Sequence, residues 1–431
     1  IVDARQSTVG SQETKFEQTG LTLALSSPVI SALQTVSQMA QAASQTSDTR
    51  AKALAAGASA LTLYNTANSF NSPSGSGGSG GANDGGGQFS ISITVGHSHS
   101  DEISTQASNT GVGSTVAAGG NVSIVATGAG QQSNVNVQGS DVNAGGNALL
   151  QADNQVNLLA SQDTSSERSQ NFSSSAAAGV AISVGHGVAF GVTASGSLGK
   201  GHTNSDDVSN INSQVMAANT LTIKSGGDTT LQGAVAGGKQ VVADVGGNLN
   251  LQSLQDTSKY DSAQMNLSGS VTVGYGASGN LSFSDSSASG DYASVNEQTG
   301  IKAGDGGFQI GVQGNTDLKG AVIASSQAAV DQGKNSLTTG TLTTSDIANH
   351  SNYEASGFSL SGGYSVSAGG SGQKTLPLQS FQSGSQGSAA GFSSESGSQS
   401  STTRSGISGG AVTITNNAAQ QAATGQTAGQ A

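Results

Sequence analysis

Four stretches of the chain alternate apolar and polar residues with a period of two. Phe89, Ile91, Ile93 and Val95 are separated by Ser90, Ser92 and Thr94. Val180, Ile182, Val184, Val188, Phe190 and Val192 share one phase, with His186 between them. Met265, Leu267, Val271, Val273 and Tyr275 form a third set, continued by Leu281 and Phe283, and Phe358, Leu360, Tyr364 and Val366 a fourth. Successive side chains of an extended chain point to opposite faces, so this period predicts strands with one apolar face. Gly-rich middles predict that each set folds back as a hairpin. The sets recur as Val95-Gly96-His97, Val184-Gly185-His186, Val273-Gly274-Tyr275 and Gly362-Gly363-Tyr364, whose last residues are each 89 apart. A fixed spacing marks one structural unit copied along the chain.

A shorter repeat lies between these sets. Gly119-Gly120-Asn121, Gly145-Gly146-Asn147, Gly226-Gly227-Asp228 and Gly246-Gly247-Asn248 each precede short alternating runs, and Asp228 and Asn248 are 20 residues apart. Short strands, a step near 20 and Gly-Asn corners predict a parallel β-solenoid, with Gly and Asn supplying left-handed corner conformations. Ile223, Leu231, Leu249 and Leu251 are expected to face its interior. The hairpins are expected to project from the solenoid units and to rest flat on its flank.

The ends read differently. A strand or hairpin is expected from Phe16 to Leu25. Ser27 before Pro28 predicts a helix start, with Val29, Leu33, Val36, Ala40 and Ala43 on one face. Ala51, Leu54, Ala55, Ala58 and Leu61 predict a second helix. The expected organisation is a strand plus helical pair over 1–70 that caps the solenoid and a Gly/Ser linker over 71–87. A solenoid of three to four units of about 90 residues follows over 88–368, then a loosely ordered Ser/Gln/Gly-rich tail over 369–431, with one strand near Val412–Thr415. The chain opens at Ile1 without Met and reads as a segment of something larger.

Composition narrows the function. Of 431 residues 64 are Gly, 9% are charged, 34% are hydrophobic and none is Cys or Trp. A chain without Cys has no disulfide framework and no thiolate-ligated zinc. With 14 basic and 26 acidic residues the net charge is −12, which argues against electrostatic wrapping of nucleic acid. A thin solenoid core manages with Val, Ile, Leu and Ala where a globule would need more large side chains. His97 and His99 share a strand face at i, i+2, near Asp101 and Glu102, and are the one weak metal candidate. His186 and Tyr275 occupy the repeat position of His97 without a second ligand two residues on. Gly304-Asp305-Gly306-Gly307 is an isolated fragment of a calcium-type repeat. No catalytic cluster and no cofactor site is expected.

Longer phrases carry a family resemblance. They are Asp3-Ala4-Arg5-Gln6-Ser7, Lys15-Phe16-Glu17-Gln18-Thr19-Gly20-Leu21 and Leu25-Ser26-Ser27-Pro28-Val29-Ile30. Val295-Asn296-Glu297-Gln298-Thr299-Gly300-Ile301, Ala303-Gly304-Asp305-Gly306-Gly307-Phe308 and Gly314-Asn315-Thr316-Asp317-Leu318-Lys319-Gly320-Ala321-Val322-Ile323 follow in order. Over about residues 1–365 the chain resembles the haemagglutinin-repeat region of two-partner-secreted bacterial exoproteins. That family includes filamentous haemagglutinin and the contact-dependent growth inhibition exoproteins.

The resemblance implies an all-β, right-handed parallel β-helix on a Gram-negative cell surface. It implies a non-enzymatic segment that serves toxin delivery across the outer membrane of a neighbouring cell. The implied partners are that membrane or a surface receptor, the remainder of the exoprotein with its C-terminal toxin, and an outer-membrane transporter. The alternative is an adhesin shaft for cell or host attachment. On the delivery reading the membrane-interacting residues are those of the alternating faces: Phe89, Ile91, Ile93, Val95, Val180, Ile182, Val184, Val188, Phe190, Leu267, Val271, Val273, Tyr275, Phe358, Leu360 and Tyr364.

Overall fold

The computed structural model describes residues 4–26, 89–184, 188–274, 276–368 and 381–430. The expected helical pair over 28–66 and the linker over 71–87 lie outside the described residues, as do His186 and Tyr275. The rest is mostly strand, divided between a parallel solenoid and one large antiparallel sheet.

The described solenoid has seven coils. Coil one is Thr115–Ala118, Val122–Ala126 and Val135–Gln138, and coil two is Asp141–Ala144, Ala148–Ala152 and Val156–Leu159. Coils three and four are Ser213–Ser225 with Thr229–Gln232, then Ala234–Val245 with Leu249–Gln252. Coil five is Gly300–Val312 with Asn315–Lys319, and coil six is Val322–Ala324, Ser336–Thr339 and Thr341–Ser345. Gly406–Ile407 and Ala411–Ile414 begin a seventh.

Inward side chains stack in columns because the parallel registers match. One column is Val116, Val142, Val215, Ala236, Ile301, Ile323 and Ile407. Another is Val137, Leu158, Leu231, Leu251 and Leu318. Ile223, Leu231, Leu249 and Leu251 are fully buried, as the pattern predicted. Leu249→Asp places an unpaired carboxylate in this thin core, and we expect a loss of several kcal/mol. A thermal melt unchanged by that substitution would contradict the inward assignment.

The Gly-Gly-Asn phrases do not all serve one corner. Those at 119–121 and 145–147 join the first and second strands of their coils. Those at 226–228 and 246–248 join the second and third. None of these eight glycines has left-handed backbone, contrary to expectation. From the second coil on, glycine is needed there because stacked corners approach closely: a Cβ on Gly226 would stand 2.1 Å from the Asp153 carbonyl oxygen, whereas one on Gly119 or Gly120 of the first coil would meet nothing within 4 Å. The Asn and Asp side chains tie the corners, since Asn147 N–H donates to Asn121 Oδ1 at 2.8 Å and Asn248 N–H to Asp228 Oδ1 at 2.7 Å.

Left-handed glycine appears instead at the third corner. Gly139, Gly233 and Gly320 have φ of 53°, 63° and 56° and turn the chain directly into the next coil. Ala160, Ser253 and Asp346 take the equivalent place in coils two, four and six, and from each of these the chain leaves the solenoid as a hairpin.

The coils past the fourth hairpin end in a helix, Asn417–Thr424. Its Asn416 cap accepts from Ala419 N–H at 3.0 Å. Gln420 is fully buried. Leu342 N–H donates to Gln420 Oε1 at 2.7 Å, and Gln420 Nε2 donates to Leu342 O at 2.9 Å. A side-chain amide thus replaces the next strand of the third sheet. Where the sequence predicted a loosely ordered tail, residues 381–430 hold a long strand, two short ones and this helix. Backbone pairing and caps order the segment with few apolar side chains.

Candidate functional site: the amphipathic hairpin sheet

Four hairpins form one eight-stranded antiparallel sheet in sequence order. They are Ala4–Ser26 with Phe89–Val112, Ser161–Val184 with Val188–Ile211, Asp256–Gly274 with Gly276–Ser294, and Ile347–Ala368 with Phe381–Thr403. From the second hairpin to the fourth, two coils separate successive hairpins. Coils stack, and strands pair, at the same spacing of about 4.8 Å. Two coils therefore carry the chain as far along the axis as the two strands of a hairpin occupy. This match lets all the hairpins join in one sheet.

Register brings the predicted residues together row by row. Phe89, Val184 and Val188 share one row, and Ile91, Ile182 and Phe190 the next. Ile93, Val180, Val192 and Val273 follow. Val95 lies in a row with Ala178, Ala194 and Val271. Farther toward the base come Leu198, Leu267, Phe283 and Leu360, then Phe358 opposite Phe392. Tyr364 pairs with Gly279 in the backbone. All these positions have one parity, and the described side chains among them, from Val95 and Val192 to Leu360 and Phe392, occupy one face.

That face does not rest on the solenoid, contrary to expectation. Val192 is 61% exposed, Val271 55% and Leu281 58%. The hairpins satisfy their backbone groups by pairing with each other, which stands the sheet away from the coils. The opposite face is built of hydroxyls and small residues. Ser98, Ser175, Ser197, Ser268, Ser282 and Ser361 form an unbroken row across six strands. Ser175 and Ser197 hydroxyls lie 2.7 Å apart, and Thr272 Oγ1 donates to Thr193 Oγ1 at 3.0 Å. A concavity of about 540 Å³ at mid-height is lined mostly from this face, by Thr203, Ser262, Gln264, Ser286 and Glu395 among others.

Charge divides the sheet by height. Residues 172–199, 266–284 and 357–368 contain no Asp, Glu, Lys or Arg. The basal half holds the ion pairs. Arg168 donates two bonds to Asp206, at 2.8 and 2.7 Å, and these hold the Asp206 carboxyl below its ordinary range. His202 pairs with Asp261 at 2.9 Å, and His350 with Asp291 at 3.5 Å. On the first strand a hydrogen bond from Lys15 to Glu13 raises the lysine pKa.

The metal candidates have protein partners. His97 Nδ1 lies 2.9 Å from Thr19 Oγ1, and His99 Nε2 lies 2.9 Å from Asp101 Oδ2. Asp305 accepts from Ser326 Oγ at 2.7 Å. Among the described residues no three His, Asp or Glu side chains are grouped to hold a metal. No described helix is long and apolar enough to cross a membrane, which leaves strands untested.

Residues 95–267 match the hemagglutinin repeat family. The chain is 36% identical over 419 residues to toxin CdiA of Escherichia coli, covering 94% of this chain and 13% of that protein. It is 34% identical over 410 residues to tRNA nuclease CdiA of Yersinia mollaretii, covering 94% and 13%. It is also 34% identical over 421 residues to deoxyribonuclease CdiA of Dickeya dadantii, covering 95% and 12%. The chain thus spans about an eighth of the length of these relatives. No solved structure matches it. With its repeated units, its solenoid and these relatives, the chain is a hemagglutinin-repeat region of the CdiA type.

Proposed function

We propose that this region is a non-enzymatic delivery module of a two-partner-secreted exoprotein on the surface of a Gram-negative bacterium. It helps a toxin carried elsewhere in that exoprotein across the outer membrane of a neighbouring cell. The hairpin sheet is the part that meets the membrane. The observation that carries this reading is the uncharged upper half of the sheet, apolar on one face and hydroxylic on the other.

Membrane strands need about 9–11 residues with this alternation. The uncharged strand ends run from nine residues, at 266–274, to fourteen, at 381–394. Burying four large side chains of one strand stabilises it by roughly 6–12 kcal/mol, at about 1.5–3 kcal/mol each. Insertion also requires every backbone group to be paired, hence a closed barrel. The outermost strands, Ala4–Ser26 and Phe381–Thr403, are each 23 residues long and run in opposite directions. Their pairing would close the sheet with the apolar face outward.

The test uses the full-length exoprotein with Val271→Lys or Leu360→Lys. Both positions are exposed, so folding should be kept while a charge enters the apolar face. Toxin entry should fall by orders of magnitude, with secretion and cell attachment intact. Unimpaired entry in both variants would reject a membrane role for the hairpins. If deletion of 88–370 abolishes attachment itself, the region is an adhesin shaft.

A further inference from the structure

The apolar face of the upright sheet is too large to stay bare in water. Seven of the strands, about 4.8 Å apart and apolar on this face over roughly ten residues, present on the order of 1,100 Å². Monomers rarely expose contiguous apolar patches beyond a few hundred Å². Nothing among the described residues covers this one.

We propose that, before any membrane is met, this face is covered by the same face of a second copy of the chain. Three observations favour that occupant. The area exceeds the roughly 800 Å² per partner that a standard stable interface buries. The inner strands carry no Asp, Glu, Lys or Arg over 172–199 and 266–284, so two copies meet without like-charge repulsion. The relief of the face is also self-complementary. The row Gly196, Gly269, Leu281 and Gly362 lies between a row with Ala194 and Val271 and a row of Leu198, Leu267, Phe283 and Leu360. Leu281 stands exposed in a row otherwise of glycine, so Leu281 of one copy seats over Gly196 and Gly269 of the other, as a twofold contact requires.

The solenoids do not obstruct the contact. In the second hairpin residues 161–171 precede the uncharged part, a polar stem of about 35 Å at 3.3 Å per residue. The inference stands apart from the membrane reading, because association is measured with no lipid present.

The test is sedimentation velocity of the 431-residue chain over a range of micromolar concentrations. The expected species has twice the 41.9 kDa mass of the chain. Val271→Lys with Leu281→Lys should weaken the dimer by about 30-fold or more, as charging hot-spot positions does. Ser268→Lys, on the hydroxyl face, should leave it intact. The chain has no Cys, so a spin label at Leu281→Cys is unique. It should report an intermolecular distance fitting sheets about 10 Å apart. A monomer at every concentration overturns the proposal. So does a dimer that survives both lysines, or one without an intermolecular distance at position 281. Should the lysine pair unfold the chain, the label alone decides.

Discussion

Inserting one extra coil between the second and third hairpins should split the hairpin sheet in two. A duplicate of residues 233–252 adds one stacking step of about 4.8 Å to the solenoid and nothing to the hairpins. The strands Val188–Ile211 and Asp256–Gly274 then stand one strand width too far apart. Their pairing runs over 18 residue pairs, from Gly191 opposite Gly274 to Val208 opposite Thr257. At about 0.5–1.5 kcal/mol net per hydrogen bond, losing this ladder costs on the order of 10 kcal/mol. Hydrogen exchange should show protection lost along both strands and kept in the coils. Insertion of a whole unit, two coils with their hairpin, should leave every ladder protected. If the single coil leaves protection unchanged, the spacing match does not hold the sheet together.

The second large effect is expected at a corner. Gly226→Ala puts a methyl group 2.1 Å from the Asp153 carbonyl oxygen, and that oxygen belongs to backbone in the coil beneath. Rotation of a side chain cannot relieve the clash, so coils two and three must separate locally. They are bound there by Gly226 N–H donating to Ala152 O at 3.1 Å and Gly227 N–H donating to Asn154 O at 2.7 Å. We expect a loss of about 2–4 kcal/mol, read as a lower midpoint in denaturant. Gly119→Ala has no atom within 4 Å of the added methyl and should be nearly neutral. Equal effects at the two positions would refute the close-approach explanation.

These contrasts show which parts of the architecture could be read from the residues. Alternation at Val95, Val271 and Val273, and burial at Leu231, Leu249 and Leu251, follow from period alone, because the strand geometry fixes which face each side chain takes. The 89-residue repeat exposed the hairpins and their common placement. The corner glycines mislead, because a need for left-handed backbone and a need for bare backbone surface look alike in a sequence. Gly233 serves the first and Gly226 the second.

Two strands of the candidate site were also harder to see. Ala4–Ser26 pairs with Phe89–Val112 across a long intervening segment, and sequence distance hides that partnership. Phe381–Thr403 is nearly all Ser, Gly and Gln, so its strand is specified by the neighbour's free edge rather than by an apolar pattern. That the apolar face stands clear of the solenoid depends on the equality of two spacings, which no single residue encodes.

The bases of the hairpins bear on how such a chain can fold at all. Coils four and five touch at Ala236 and Ile301, and coils six and seven at Ile323 and Ile407, contacts of long sequence separation that are slow to find. A hairpin is a local structure, and once zipped it leaves Ser161 beside Ile211, Asp256 beside Ser294 and Ile347 beside Thr403. The excursion then counts as a short loop, and most of its closure entropy has been met before the coils stack. Each hairpin acts as a splint that delivers one coil to the next, so the solenoid assembles in steps of near neighbours.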